Sequence, residues 1–312
     1  MNLLHLKYVV EVEKSKSISK AAENLHMGQP NLSRGIRELE DSIGITIFNR
    51  SSRGITVTEK GEEFILYAKA ILDQVDYVES FYRKDNEGQQ TFSISVVRSS
   101  YLTQAFSEFS NSFDSKKEIK LKFKEANSEN TMNDVIKGEV NLGIIRYSEK
   151  YLNYFEVYLK EKGLICNEIL DFTSFVLVSK NSSLAKKKKI NRAELAEKIE
   201  IVYGDFYIPN MHITEIKKKI ARNNLKQNIQ VFDRASCLEL LEKNEKTYFC
   251  SSPLNPEELD KHQLVQLQIE GDEEIFKDVL ISRSTYRFSL IDKKFLDYLT
   301  KTTQEIKKKI VE

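Results

Sequence analysis

The first part of the chain repeats apolar residues at the three- and four-residue spacing of amphipathic helices. Helices are predicted over about residues 3–12, 21–25 and 29–43, from apolar stripes at Leu3, Leu6, Val9 and Val10, at Ala21, Ala22 and Leu25, and at Leu32, Ile36, Leu39 and Ile43. Ser17 is a natural N-cap for the second helix, and Pro30 suits the first turn of the third. Only residues 26–28 separate these two helices, which is the short connection of a helix-turn-helix.

Two short strand-like segments, residues 45–48 and 55–58, follow and enclose a polar turn with Arg50 and Arg53, a pattern typical of a wing. The next helix is predicted over about residues 60–84, where apolar residues alternate at spacings of four and three: Phe64, Ala68, Ile71, Val75, Val78 and Tyr82. Such a helix would extend roughly 35 Å at about 1.5 Å per residue, too far for the preceding segment to bury. A second copy of the chain is therefore its expected partner.

Beyond a polar stretch at residues 86–90, strand and helix patterns alternate. Strands are predicted at residues 92–97, 121–125, 142–145, 172–178, 199–203, 229–232 and 247–250, and helices at 101–113, 132–137, 191–198, 213–223 and 235–243. This repetition predicts parallel sheets covered by helices, in two lobes. The expected domains are residues 1–60, a linker helix over 61–88 and a domain over 91–312, with lobe I at about 91–163 and 270–312 and lobe II at about 167–264.

Composition narrows the class of protein. The 312 residues are 40% hydrophobic and carry 48 Lys+Arg against 47 Asp+Glu, which is enough apolar material for a sizeable core. Phosphate-loop, zinc-protease and nucleophile-elbow motifs are missing from the sequence and its four histidines are scattered, so no enzyme activity, cofactor or metal site is predicted. The longest apolar run, residues 64–68, is far shorter than the ~20 residues of a membrane span. With no secretory leader, a cytoplasmic protein is expected.

A dense set of residues near the N-terminus forms a family pattern: Ser17, Ala21, Ala22, Leu25, Gln29, Pro30, Ser33, Arg34, Ile36, Leu39, Glu40, Gly44, Ile47, Phe48, Arg50, Thr58 and Gly61. In these residues the chain resembles the LysR-type transcriptional regulators. The resemblance implies an N-terminal all-α winged helix-turn-helix with a long linker helix, followed by a C-terminal α/β two-lobed, periplasmic-binding-protein-like effector domain. It also implies a homodimer or homotetramer whose partners are operator DNA, a small-molecule effector and RNA polymerase, with no membrane.

The polar face of the third helix is the predicted DNA-reading surface. Its candidate contacts are Gln29, Pro30, Asn31, Ser33, Arg34 and Arg37, joined by Arg50 and Arg53 in the wing. Gln and Asn pair with adenine, Arg pairs with guanine, and a helix N-terminus holds phosphate. Residues 1–60 carry 9 Lys/Arg and 7 Asp/Glu, a net +2, so two copies on two half-sites are expected. The alternatives are a solvated face of a protein-binding module and, for Arg50, a tie between hairpin and linker helix.

Ligands of doubly wound lobes bind beyond the carboxyl ends of strands. This rule selects an effector site of Ser99, Ser100, Ser128, Arg146 and Tyr203, with residues 204–206, Arg234 and Ser236 nearby. Arg146 is expected to clamp a carboxylate of a small, anionic metabolite through two hydrogen bonds. The alternatives are an ion pair for Arg146, for example with Glu149, and helix caps for Ser99 and Ser100.

Other functions stay open from the sequence. A cytoplasmic two-lobed solute-binding protein would share the C-terminal plan without needing the N-terminal helices. A redox-sensing regulator would switch through cysteines, but Cys237 and Cys250 lie in apolar patterns typical of a core, and only Cys166 remains. The run of four lysines at residues 186–189 is either a second nucleic-acid patch or a solvated loop, and its position favours the loop.

Overall fold

A computed structural model of the full chain describes residues 2–51, 54–82, 90–114, 118–211, 214, 227–271 and 274–311. The chain divides into two compact units, Met1–Gly88 with Thr285–Leu290, and Gln89–Ser284 with Ile291–Glu312. The helix predicted over residues 213–223 lies almost entirely outside the described residues, and so does the whole of the linker's expected end, residues 83–88.

Unit 1 consists of helices and one β-hairpin. Its elements are α1 (Leu3–Ser15), α2 (Ile18–Asn24), α3 (Gln29–Ile43), β1 (Phe48–Ser51), β2 (Gly54–Val57) and α4 (Glu59–Tyr82). Ser17 caps α2 by accepting a hydrogen bond from the Lys20 amide, as predicted, and Gly44 ends α3 in a left-handed conformation with φ of 70°. The apolar stripes of the three predicted helices form one core, which confirms the periodicity, except that Leu3 is 45% exposed and lies outside it.

The hairpin begins later than the sequence predicts. Its register starts at Phe48 opposite Val57, whereas the predicted first strand was residues 45–48. The reason is that the carboxylate of Glu40 accepts hydrogen bonds from the amides of Ile47 and Phe48, at 2.6 and 3.1 Å. Residues 45–47 are therefore held against the end of α3 and form the connection into the strand.

Part of the stripe predicted on α4 faces the unit's own core. Ala68 is fully buried there, and Phe64 and Ile71 pack against the same core. Over the first half of α4, the apolar stripe therefore packs against the unit's own core and is not available to a second copy of the chain. Among the described side chains of the helix, Leu66, Tyr67 and Val78 are exposed, at 55, 62 and 52%, and of these only Val78 belongs to the predicted stripe.

The first sheet of unit 2, lobe I, has the strand order β4-β3-β5-β13-β6. Its strands are β3 (Gln90–Val97), β4 (Ile119–Ala126), β5 (Leu142–Ser148), β6 (Leu164–Thr173) and β13 (Ile275–Arg283), and its helices are α5 (Ser100–Asn111), α6 (Ser128–Ile136), α7 (Leu152–Glu161) and α10 (Leu290–Val311). Strands β3, β4 and β5 are parallel, but β13 runs antiparallel to β5 and β6. Phe295 of α10 joins the core, with its ring 4.9 Å from that of Phe92.

The second sheet, lobe II, has the order β10-β9-β11-β7-β12-β8. Its strands are β7 (Phe175–Ser179), β8 (Lys189–Ile190), β9 (Ile199–Tyr203), β10 (Asn228–Val231), β11 (Thr247–Ser251) and β12 (Leu264–Ile269), and its described helices are α8 (Arg234–Lys243) and α9 (Pro256–Lys261). Here β9, β10 and β11 are parallel, while β7 is antiparallel to β11 and β12. Both sheets are therefore mixed, which corrects the prediction of parallel sheets.

The lobe boundaries also need correction. Residues 164–173 pair with β13 in lobe I, although lobe II was expected to begin at about residue 167. The predicted strand over residues 172–178 is in fact two strands, because the chain crosses from one sheet to the other after Thr173. Lobe II likewise extends to Ile269, which pairs with Ile190 of β8, beyond the expected end at about 264. The predicted helix over residues 191–198 is a short 3-10 turn, Arg192–Leu195, with a capping box at Asn191.

Membrane-spanning helices and metal-binding clusters are both missing from the part of the chain that the structure describes. Among the described helices, none combines the length and the apolar character that crossing a bilayer requires. Within the same ranges, His, Cys, Asp and Glu side chains nowhere gather in a group of three that could hold a metal ion.

Candidate nucleic-acid interface and interlobe cleft

Helix α3 separates its apolar and polar residues onto two faces. Leu32, Ile36 and Leu39 are at most 1% exposed. The residues predicted to contact DNA lie on the remaining surface: Gln29, Pro30, Asn31, Arg34 and Arg37 are exposed, and Ser33 is half-buried. A single helix thus carries two amides and two guanidinium groups toward solvent, which is the donor and acceptor set that reads base edges in a major groove.

The start of α3 suits a phosphate. Gly28 caps the helix without a side-chain hydrogen bond, Pro30 occupies the first turn, and that turn has no acidic residue. The first backbone amides of a helix and the positive end of its dipole both attract anions. This end of α3 can therefore receive a backbone phosphate beside the base-reading side chains.

A close contact between α1 and α3 fixes the polar helix in place. A Cβ at Gly35 would approach the ring of Tyr8 to 3.0 Å and that of His5 to 3.2 Å. Tyr8 is itself buried, and its ring stacks on His5 at 5.8 Å. The absence of a side chain at Gly35 lets the two helices approach more closely than other residues would allow.

Hydrogen bonds attach the hairpin to α3 on one side and to α4 on the other. Glu40 holds the amides that lead into β1, and the Thr58 hydroxyl donates to the Thr46 carbonyl at 2.6 Å while it accepts from the Gly61 amide at 2.9 Å. Arg50 pairs with Ile55 across the hairpin. The Arg50 side chain and the whole of Arg53 lie outside what the structure describes, so their predicted roles stay predictions.

In unit 2, an ion pair joins the two lobes. Arg98, directly after β3 of lobe I, donates to both carboxylate oxygens of Asp205, which follows β9 of lobe II, at 3.0 and 2.7 Å. The guanidinium lies 4.6 Å from the centre of the Tyr203 ring, a cation–π contact. The side-chain amide of Asn127 adds a hydrogen bond of 2.9 Å to the Asp205 carbonyl.

A second arginine crosses between the lobes from the other side. Arg234, the first residue of α8, donates to the Ser100 hydroxyl at 3.1 Å and to Glu258 at 2.9 Å, and its Nε lies 3.4 Å from Glu125. The hydroxyls of Ser99 and Ser252 meet at 3.1 Å. The cleft between the lobes is thus closed by contacts of the protein with itself.

The N-terminal helices and hairpin match a known family of domains. The model of the bacterial regulatory helix-turn-helix protein, lysR family, matches residues 3–62, which span α1 through the start of α4. The N-terminal domain belongs to the LysR family. Its predicted reading residues Gln29, Pro30, Asn31, Ser33, Arg34 and Arg37 all lie inside the match.

A relative of known class extends the likeness beyond this domain. The chain is 30% identical over 149 residues to the HTH-type transcriptional regulator AlsR of Bacillus subtilis (strain 168), covering 46% of this chain and 48% of AlsR. The chain therefore aligns with about half the length of that relative.

The likeness in fold to two solved structures covers nearly the whole chain. A full-length OxyR variant from Pseudomonas aeruginosa superposes with a TM-score of 0.64 at 15% identity, over 97% of this chain and 95% of that one. Full-length CbnR, solved in complex with its target DNA, gives 0.51 at 18% identity over 97% and 100%. At such identities the likeness concerns the fold: a LysR-type helix-turn-helix domain followed by an α/β two-lobed domain.

The predicted effector residues of the two-lobed unit mostly serve internal contacts. Ser128 exchanges hydrogen bonds with the Arg146 backbone, at 2.8 and 3.1 Å, so it ties α6 to β5. Ser99 and Ser100 lie at the start of α5, but neither acts as a side-chain cap there, since their hydroxyls bond Ser252 and Arg234. These two serines therefore border the cleft, which corrects the alternative of simple helix caps.

Arg146 is engaged by a carboxylate of the protein itself. Its Nε and Nη2 each donate to Asp278 at 2.7 Å, and Asp278 also accepts from the Tyr101 hydroxyl at 2.6 Å. The structure therefore favours the ion-pair alternative, with Asp278 in place of Glu149, because the two donors needed for a bidentate clamp are already occupied. Burial, reinforced by the Asp278 charge, raises the pKa of Tyr101 well above its usual range, so the phenol stays a donor.

Sequence reasoning missed the central pair of the cleft. Arg98 stands next to the selected Ser99, and Asp205 falls inside the selected residues 203–206, but the sequence does not single out either one. The signal that could have identified Arg98 is a charged residue placed directly after a predicted strand. Tyr203 borders the cleft beside Arg98, and burial raises the pKa of its phenol above the usual range. Ser236 serves a different purpose, since it bonds Asp233 at the start of α8.

Proposed function

We propose that this protein is a sequence-specific, DNA-binding transcriptional regulator of the LysR type. The observation that carries the proposal is the exposed polar face of α3, with Gln29, Asn31, Arg34 and Arg37, in a domain that belongs to the LysR family. CbnR, which shares the fold, was solved on its target DNA, and this supports the same use of the N-terminal domain here. The fold alone would not indicate DNA as the partner.

The chemistry of contact follows from the residue types. Arg34 and Arg37 present guanidinium donors suited to guanine, and Gln29 and Asn31 present amides suited to adenine. The open N-terminus of α3 receives a phosphate. Because one domain of net +2 neutralises few phosphates, the regulator acts as a homodimer or homotetramer that binds two half-sites. In the wing, Arg50 and Arg53 complete the proposed contacts.

The regulator also responds to a small molecule bound between the lobes of unit 2. Ser99, Ser100 and Tyr203 border this cleft, and two arginines bridge it. Guanidinium groups select carboxylate and other oxyanions, so an anionic metabolite is the proposed class of effector. The effector changes DNA binding only through a difference in its affinity for two lobe arrangements. The setting of this activity is the cytoplasm, where RNA polymerase is the further partner.

The test is operator binding by an Arg34→Ala variant. Genomic fragments retained by the wild-type protein supply the operator, and fluorescence anisotropy measures affinity at one fixed salt concentration. Loss of a guanine contact is expected to weaken binding by about 1–3 kcal/mol, or roughly 5- to 150-fold. Arg192→Ala, which removes an exposed arginine in lobe II, is the matched control and should bind as the wild type does. Equal affinity for all three proteins, or equal affinity of the wild type for every duplex, would sink the proposal.

A further inference from the structure

Asp205 has the position and chemistry of a ligand. Its carboxylate faces the Arg98 guanidinium squarely, with two donated hydrogen bonds of 3.0 and 2.7 Å, which is the two-point geometry by which arginine binds a free carboxylate. The Tyr203 ring covers one face of the guanidinium at 4.6 Å. Arg98 and Asp205 come from different lobes, so this internal carboxylate fills the cleft where an outside anion would lie.

Two bidentate arginine pairs among the described residues of the domain differ in how tightly their carboxylates are enclosed. Asp278 is fully buried in strand β13 and is bonded to both Arg146 and Tyr101. The Asp205 side chain is 21% exposed, belongs to the turn after β9 and accepts its two hydrogen bonds from Arg98. A solute can therefore reach Asp205 and replace it, whereas the Asp278 pair is a permanent part of lobe I.

The turn that holds Asp205 is anchored independently of its carboxylate. The Gly204 amide bonds the Val231 carbonyl at 3.0 Å, and Asn127 bonds the Asp205 carbonyl at 2.9 Å. The ring of Phe232 lies directly over Gly204, where a Cβ would come within 2.6 Å of it. The side chain of Asp205 can therefore swing away by rotation about its own bonds while the backbone remains attached across the cleft.

We infer that Asp205 is an internal competitor for the effector, and that Arg98 is the group that receives it. The effector class is a small carboxylate or a similar oxyanion with two acceptor oxygens, because only such a group replaces both hydrogen bonds that Asp205 gives up. This inference rests on the proposed function for its biological meaning. The ligand then breaks the Arg98–Asp205 contact between the lobes as it binds. The difference in its affinity for the states with and without this contact drives the response.

The experiment compares anion binding by the full-length wild type and three variants. Asp205→Asn keeps the shape of the side chain but removes the competing charge, and Arg98→Met removes the receptor. Asp260→Asn is the matched control, because Asp260 is also an aspartate of lobe II paired with a cation, Lys180 at 3.0 Å. Succinate and sulfate are the probes, titrated at constant ionic strength with chloride as the balancing ion, and isothermal calorimetry gives each Kd.

The expected result is a Kd for succinate that falls about tenfold or more in Asp205→Asn, since a bound anion no longer has to displace a charged partner. Arg98→Met should show no saturable binding, and Asp260→Asn should match the wild type. Equal Kd values for the wild type and Asp205→Asn overturn the inference. So does binding retained by Arg98→Met, or no saturable binding of either anion by Asp205→Asn.

A further variant distinguishes loss of the anion receptor from misfolding of Arg98→Met. The charge swap Arg98→Asp with Asp205→Arg restores an ion pair across the cleft but reverses its polarity. It should have a higher thermal midpoint than Arg98→Met, and a swap that is no more stable than Arg98→Met contradicts the ion pair across the cleft. Operator affinity, measured on the same preparations, separates this inference from the proposed function. A wild-type protein without specific DNA binding would contradict the proposed function, whereas the competition between Asp205 and an anion would still stand.

Discussion

Arg146 and Asp278 face each other on adjacent antiparallel strands, β5 and β13, and are joined by two hydrogen bonds of 2.7 Å. The Asp278 side chain is fully buried, and the Tyr101 hydroxyl from α5 bonds it as well. Phe172 covers the guanidinium, with its ring centre 4.8 Å away. One buried charge pair thus links a helix and three strands of lobe I, so its contribution is structural.

Replacing Asp278 by Asn should strongly destabilise the effector domain. The change leaves the Arg146 guanidinium without a counter-charge in a buried setting, and removing one partner of a buried pair costs about 3–5 kcal/mol. Urea denaturation followed by far-ultraviolet circular dichroism measures the loss. Glu168→Gln is the control, since this carboxylate is largely exposed beside Lys277 in the neighbouring strand and should change stability by less than about 1 kcal/mol. A denaturation midpoint for Asp278→Asn that matches the control would contradict the structural role.

These same residues show which parts of the fold the sequence alone can predict. The helices of unit 1 were predictable because burial stripes such as Leu32, Ile36 and Leu39 are set within one helix, by local spacing. The partner of Arg146 was not, because Asp278 is 132 residues away and only the sheet order brings the two together. The same limit hid the crossing after Thr173: a strand that leaves one sheet for another looks like one continuous apolar run.

The residues of the cleft were only partly predictable from the sequence. Strand ends were predictable, so Ser99, Ser100 and the turn at residues 203–206 were correctly placed at the border between the lobes. What spacing could not indicate is which charged side chain meets which across the cleft. Arg98 and Asp205 pair because the two lobes meet at this point, and the distance between the two side chains depends on every element between them.

Replacing Glu40 by Ala should loosen the wing. The substitution leaves the amides of Ile47 and Phe48 without their acceptor in a half-buried position, at a cost of about 1–3 kcal/mol. The wing would then sample other positions, so we expect operator affinity to fall along with the stability of the N-terminal unit. Glu38→Ala, at an exposed position of the same helix, is the control for loss of a negative charge from α3. Anisotropy titrations that show both variants binding alike would count against this role.

Replacing Gly61 by Ala tests the close approach of α4 to the backbone of the segment that leads into the hairpin. On propensity alone this change should stabilise the helix by about 1 kcal/mol. However, the new Cβ would lie 2.3 Å from the Ile47 carbonyl oxygen, a backbone atom that cannot rotate away. We therefore expect net destabilisation of about 1–3 kcal/mol, seen as a lower thermal midpoint of the full chain. Glu63→Ala, exposed in the same helix, should leave it unchanged or raised, and a rise for Gly61→Ala would show that the contact is relaxed at little cost.

The cysteines provide the last prediction, which addresses the redox alternative. Burial, with a smaller effect of Asp233, raises the pKa of Cys237 to about 12. Because the thiolate is the reacting species, only about one molecule in 10⁴ is reactive at pH 8, and the fraction rises tenfold for each pH unit up to the pKa. Cys166 is exposed, although its thiol is partly enclosed. This partial burial, with a contribution from the Glu156 charge, raises the pKa of the thiol above its usual value.

Iodoacetamide at pH 8 should therefore modify Cys166 first and leave Cys237 intact until the domain unfolds, as mass spectrometry of tryptic peptides will report. The same reaction in urea is the control, since both peptides should then be labelled at similar rates. A switch that works through an internal disulfide needs two thiols that react in the native protein, so treatment with hydrogen peroxide is expected to leave Cys237 unpaired and operator affinity unchanged. Rapid native labelling of Cys237, or a peroxide-induced disulfide that includes it, would favour the redox-sensing regulator instead.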